Sequence, residues 1–354
     1  MSHESQPVLR IETPRSVPQS LILAVVALLG TLSSCQTPEP SSNYDIVLSA
    51  LDRYRVVAVG ENHGHVEFHN WLLGLLELPA ATNKIDDIAV EWGNELYQNQ
   101  IDRYIDGGEV PWDSVTIAWR NTIVSPNTVW DAAVYAQFFR EIRRINSTLG
   151  PDKRYRVILT DSPVDWDKVE SREDLRPFYD RAAAMAETVR RESLLKGRRS
   201  LFVAGALHVA RIPRRRVRDD GLSVGEITPV AWIELRNPGS VFVIQSMARA
   251  GELGLSELST IGAPHVVGLS RDRSPGTISA NATTTLRDRD GTRSNVYGDA
   301  VLADVADAVI LWDASDVTLE DADASVYTID WYWAELDRRS RIVRGQPMDP
   351  SLRR

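Results

Sequence analysis

The 354-residue chain has a single cysteine, Cys35, so no disulfide can form within it and a thiol-based catalytic site has little material. Only one uninterrupted apolar run of any length is present, Leu21–Leu32, and there is no heptad array or internal repeat. Basic charge is in deficit. The 40 Lys and Arg against 49 Asp and Glu leave a formal net charge of −9 and a pI near 5.3. That balance argues against nucleic acid as a partner, which needs a basic surface. Histidine is scarce, at six residues, and aromatic content is only 7 %, although ten tryptophans are present.

What is there begins with an address. Arg10 and Arg15 precede the twelve-residue apolar stretch Leu21–Leu32. Such a stretch is too short to span a membrane comfortably and suits the core of a secretory signal peptide. Leu32-Ser-Ser-Cys35 resembles the bacterial lipobox, in which the cysteine is lipidated and becomes the mature N-terminus. The resemblance implies a lipoprotein signal peptide over residues 1–35. It also implies a membrane partner through lipid on Cys35, and a place in the bacterial cell envelope, facing periplasm or exterior. Residues 36–48, which open rich in Pro, Ser and Thr, then read as a flexible tether. Residues 49–345 have ample length for one large α/β domain, and 346–354 read as a disordered tail.

The chemistry concentrates in Gly60–His69, Gly-Glu-Asn-His-Gly-His-Val-Glu-Phe-His, which holds three of the six histidines. Val56–Val59 ahead of it is short, β-branched and bounded by glycine, as in a buried parallel strand. Behind it, Phe68, Leu72, Leu75 and Leu76 recur at helical spacing. Glu61 and His63 therefore fall in the turn from a first strand into a first helix, the edge where open α/β sheets bind ligands. Three further strands are expected at 87–92, 156–161 and 200–207. They end at or beside Glu91, Asp161 and His208. Helical periodicity covers most of 94–144 and 173–195. This alternation predicts an α/β fold, with a mainly parallel central sheet flanked by helices and a helical insertion. One polar residue at a strand end means little. Four consecutive strands ending in Glu, Asp or His point to a shared site.

Gly60-Glu-Asn-His63 and Gly205-Ala-Leu-His208 are two Gly-X-X-His motifs with Glu91 between them. Over about residues 52–208 the chain resembles the erythromycin esterase / ChaN / Tiki–TraB superfamily, whose hallmark is this pair of motifs and an intervening glutamate. Asp307–Trp312 is similar to the closing strand of erythromycin-esterase-like domains. The family's Tiki members resemble metal-dependent proteases, which implies His63, Glu91 and His208 as ligands. A mixed imidazole and carboxylate set suits Zn, Mn or Co. Its erythromycin esterases are hydrolases in which the matching turn activates water, which implies catalytic roles for Glu61, His63 and His208. Its ChaN-like members are lipoproteins that bind haem, but no tyrosine here matches their haem ligands. A metal would lower the pKa of bound water towards ~7. Without one, a histidine oriented by a glutamate contributes typically about 10²–10⁴-fold as general base.

The expected function is a lipid-anchored, metal-assisted hydrolase of ester or amide bonds in a small-molecule or peptide substrate. The alternative is a haem- or metal-binding uptake lipoprotein without turnover. A third reading, a degenerate member serving only as an interaction module, has the intact Glu61, His63, Glu91 and His208 against it.

Other candidates carry less. His65 and His69 are four residues apart and could share a helix face, although His-X-Glu-X-His is not the His-Glu-X-X-His of zinc hydrolases. His65 is the better candidate for a supporting role; His69 is expected to pack against the sheet. Asp161, Arg120 beside Trp119, and Arg211 at the head of an arginine run are candidate substrate-binding groups, since guanidinium suits carboxylate or phosphate. Such runs are more often solvated faces. Gly262-Ala-Pro-His265 is a third Gly-X-X-His, but its histidine opens a strand, the wrong end for a parallel sheet. Residues 230–235 and 241–245 flank Arg-Asn-Pro-Gly-Ser and predict an antiparallel edge hairpin. Residues 270–295 read as a surface loop, 308–312 as a last strand, and Trp331–Leu336 as the start of a C-terminal helix.

Overall fold

The computed structural model describes residues 44–217, 223–247, 264–283, 291, 294–312 and 317–353. The signal-peptide stretch, Cys35 and the first part of the expected tether lie outside the described residues. No helix among the described residues is long and apolar enough to cross a membrane.

A seven-stranded sheet runs in the order β3-β2-β4-β1-β7-β9-β8. Its strands are β1 (Val56–Glu61), β2 (Asp87–Asn94), β3 (Arg156–Asp161), β4 (Ser200–Gly205), β7 (Val241–Met247), β8 (His265–Gly268) and β9 (Ala308–Leu311). All pairings are parallel except β8 against β9. A separate two-stranded antiparallel sheet pairs β5 (Arg214–Val217) with β6 (Ser223–Glu226). The four strands expected from the sequence are thus contiguous, and β1 and β4 lie side by side, with Glu61 opposite Gly205.

The period of two along each strand sorts its side chains between two apolar layers. Val57, Val59, Ile88, Val90, Leu201 and Val203 face one, and Val56, Ala58, Ala89, Phe202 and Ala204 the other. The first layer is covered by α1 (Asp45–Arg53), α2 (Val66–Glu77), α3 (Gln98–Ile105), α4 (Trp112–Arg120) and α5 (Ala133–Ser147). The second is covered by α6 (Arg181–Glu192) and α7 (Pro229–Arg236). The chain leaves β1 towards the first layer and leaves β4 towards the second. Adjacent parallel strands whose connections depart to opposite faces open a crevice at their carboxyl ends. Both Gly-X-X-His motifs border that crevice.

Several expectations need correction. Residues 45–48, expected in the tether, belong to α1. Residues 230–235 are helical rather than half of a hairpin. Thr228 caps α7 by accepting the Ala231 N–H, and Pro229 fits the first helical turn, where its missing N–H costs nothing. The following strand, β7, pairs parallel to β1, and the antiparallel edge is formed by β8 instead. Because β8 runs backwards, His265 lies level with Leu311 at the carboxyl edge of the parallel strands, yet three strands away from β1. The helix expected over 173–195 is broken: Pro177 sits in a 3-10 turn, and Asp180 caps a new start at Arg181. The tail beyond Gly345 packs back on the domain. Met348 is buried against Val326, Tyr332 and Leu336, and its N–H donates to Asp337 Oδ1 at 3.0 Å.

Phe202 is fully buried among Ala58, Ala89 and Met185 in the second layer. Phe202→Ala should lower the unfolding free energy by about 3–5 kcal/mol, read from chemical denaturation midpoints at an unchanged slope.

Candidate active site

Glu61 ends β1 and is buried, at 1 % exposure. A lone carboxylate there would cost several kcal/mol. Three donors offset this. Oε1 accepts from His63 Nδ1 and from the Tyr135 hydroxyl, both at 2.9 Å, and Oε2 accepts from His69 Nε2 at 2.9 Å. Tyr135 itself accepts the Gly64 N–H at 3.0 Å. Burial would raise the Glu61 carboxyl, but the bonds and charge of His63 and His69 outweigh it and hold it below the ordinary range. Burial beside Glu61 pushes the Tyr135 phenol well above 10, so it keeps the proton that it donates to Glu61.

His63 reaches the surface, with 38 % of its side chain exposed. Its ring stands edge-on to Trp130, centroids 4.7 Å apart. Burial alone would lower its pKa. The bond to Glu61 and the charges of Glu91 and Glu61 outweigh that, against opposition from Arg181, and raise it above 6.5.

Glu91, also 1 % exposed, is the second buried carboxylate. Oε1 takes Arg181 Nη2 at 3.0 Å and His208 Nε2 at 3.3 Å, while Oε2 accepts the Gly205 N–H at 2.7 Å. Burial opposes ionisation, but His208, Arg181 and His63 hold the carboxyl well below its ordinary value. Arg181 also donates Nε to Asp161 Oδ1 at 2.8 Å, and Asp161 Oδ2 accepts the Ile123 N–H. Asp161 thus joins the cluster through Arg181; burial raises its carboxyl despite that pairing.

The motif glycines explain how the two halves meet. A Cβ on Gly205 would stand 2.7 Å from His63 Cε1 and 3.3 Å from Glu91 Oε2. One on Gly60 would stand 2.9 Å from Ala206 Cα, in the turn leading to His208. Each motif therefore needs its glycine to admit the other motif's turn. Gln245 on β7 secures the second turn, donating to the carbonyls of Ala206 and Val209.

Some expected residues fall elsewhere. His65 is fully buried against Trp312 and Phe68 with Nε2 3.3 Å from Glu67, while His69, expected only to pack against the sheet, is the second histidine on Glu61. Arg120 is held by Asp131 and Thr116 and lies over the Tyr332 ring, so it braces the segment carrying Trp130. Arg211 bonds Asp307 and the Val241 carbonyl, at the amino-terminal ends of β9 and β7, the opposite edge of the sheet. Tyr135, Arg181 and Trp130 are the groups that sequence reasoning missed.

The donor set does not suit a divalent metal. Glu91 already serves a guanidinium and an amide, Glu61 is filled by three donors, and a cation at Glu91 would be forced against Arg181. Among the described residues, no three His, Cys, Asp or Glu side chains form a metal-holding group. These engaged carboxylates lend no support to the expectation of His63, Glu91 and His208 as ligands of Zn, Mn or Co.

No protein-family model and no curated protein matches the chain. Solved structures do. A Bacillus cereus protein superposes with a TM-score of 0.53 at 10 % identity, covering 79 % of this chain and 93 % of that one. That likeness shows a shared fold. A mutant of the erythromycin esterase EreC in its open conformation is similar at a TM-score of 0.47 and 11 % identity, over 79 % of this chain and 94 % of that one. ChaN of Campylobacter jejuni, described with cofacially bound haem, is similar at 0.40 and 13 %, over 76 % and 91 %.

The raised His63 pKa has a testable sign. A group raised on folding stabilises the protein fully below its unfolded pKa and loses that contribution as pH rises through the folded value. In NMR titrations, the His63 midpoint should lie above 6.5 in the native protein and fall in Glu61→Gln.

Proposed function

We propose that the protein is a hydrolase of ester or amide bonds in which His63, oriented by Glu61, activates water without a metal. The observation that carries this reading is the bond from His63 Nδ1 to the buried Glu61 carboxylate, which leaves Nε2 as the basic nitrogen of a side chain that is 38 % exposed. That nitrogen takes a proton from water as the oxygen attacks the carbonyl carbon, and Glu61 stabilises the imidazolium that forms. Arg181 supplies fixed positive charge, and His208 a ring donor, towards the developing oxyanion. Glu91 holds both of these groups. Tethering by a lipid on Cys35 in the bacterial cell envelope belongs to the same reading, supported by the lipobox-like sequence. The substrate is a small molecule or peptide.

Haem uptake is the alternative reading. It would use the exposed His63 nitrogen, but Tyr135 spends its hydroxyl on Glu61, and the neighbouring groups Glu91 and Arg181 are charged.

His63→Ala should reduce ester turnover by about 10²–10⁴-fold with the far-UV spectrum unchanged. A native protein that cleaves no ester yet takes up one equivalent of hemin with a sharp Soret shift would favour the alternative. Cys35→Ser should move the protein from the membrane to the soluble fraction. Membrane retention of that variant, with residues 1–34 still attached to the native protein, would remove the lipoprotein reading.

A further inference from the structure

His208 and Arg181 also form part of the wall of a cavity of about 430 Å³, whose other lining residues the reaction above leaves without a role. Its walls come from four places: the turn after β4, the start of α6, the paired strands β5 and β6, and the first turns of α7. The size falls in the range of small-molecule sites, about 300–1,000 Å³. The lining carries two guanidinium groups, Arg181 and Arg214, and two carboxylates, Asp180 and Glu226, together with the aromatic rings of Tyr179 and Trp232. Arg214 and Glu226 are paired at 2.9 Å, Arg181 is bound to Glu91 and Asp161, and Asp180 accepts the Ala183 N–H, so groups of both signs face the cavity and neither sign is offered alone.

This chemistry selects among occupants. An anion would meet Asp180 and Glu226, and a cation would meet Arg181 and Arg214. An apolar group would strip water from all four without replacing its hydrogen bonds, which is costly. Hydroxyl groups both donate and accept, so a neutral polyol can satisfy carboxylate and guanidinium together. Its C–H faces can lie against the rings of Tyr179 and Trp232, which are apolar in body and polar at the tip.

We propose that this cavity is the subsite for the alcohol portion of the substrate, and that the substrate is an ester of an uncharged, polyhydroxylated alcohol such as a sugar. The proposal rests on the hydrolase reading and gives it a substrate class. Water attacks the ester carbonyl as His63 takes its proton, and the bond from carbonyl carbon to sugar oxygen breaks. The proton returns from His63 to the departing oxygen, so one acid and one free sugar hydroxyl result.

The test compares kcat/KM for 6-O-acetylglucose and ethyl acetate with the full-length protein, native and Glu226→Gln. The native protein should favour the sugar ester by about tenfold or more, since a site built to bond hydroxyls discriminates against partners lacking them. Glu226→Gln should shrink that ratio severalfold. Equal efficiency on the two esters, or a ratio unmoved by both Glu226→Gln and Trp232→Ala, would overturn the subsite while leaving hydrolysis intact. If neither ester is cleaved, the hydrolase reading fails separately. Saturation-transfer NMR with methyl glucoside then decides the subsite: a signal lost in Trp232→Ala upholds it, and no signal with native protein overturns it.

Discussion

The Glu61 carboxylate is the constraint on which the site depends. It sits at the end of a buried strand with 1 % exposure, where ionisation is tolerable only with donors on both oxygens. Its donors come from three elements: the turn after β1, the α2 helix and the α5 helix. Misplacing either helix would leave a buried anion short of partners. The packing of the first apolar layer and the basicity of His63 are therefore set together.

Glu91 repeats this solution one strand beyond β4, with the Gly205 amide, Arg181 and His208 as its partners. The two carboxylates differ in what they orient. Glu61 holds an imidazole that is partly open to solvent, whereas Glu91 gathers positive and donor groups on the β4 side. One half of the crevice thus suits proton removal and the other suits charge stabilisation. Gly60 and Gly205 let the halves approach, because neither position has room for a Cβ.

Strand placement and the convergence of Glu61, His63, Glu91 and His208 were legible in the sequence. Runs of β-branched residues ending in polar ones mark buried parallel strands, and parallel strands share an edge. What was not legible depends on rotation and distance. Whether His65 or His69 faces Glu61 is set by the turn at Gly64. Its φ of +75° and its close approach to the Glu320 carbonyl exclude a side chain there. Residues 318–320 bond along this turn, covering His65 with Trp312 and leaving His69 to face the strand end. Arg181 was hidden because the pattern around it reads as one continuous charged helix, and only Pro177 and the Asp180 cap break it. Tyr135 was hidden because one tyrosine inside a helical run carries no sign of what its hydroxyl will reach. The Asn-Pro-Gly turn signal misled because Thr228 and Pro229 upstream also make a good helix start, and α7 then carries the chain back for a parallel strand.

The measurement that bears most directly on the Glu61–His63 account is the pH dependence of kcat/KM for a hydrolysed ester. A water-activating histidine must be unprotonated, and its pKa is raised by Glu61 and Glu91. The account predicts an ascending limb with a midpoint above 6.5 that coincides with the His63 NMR titration in the same protein. A rate that rises through a midpoint different from that of His63, or one that is flat where the ring titrates, would contradict it.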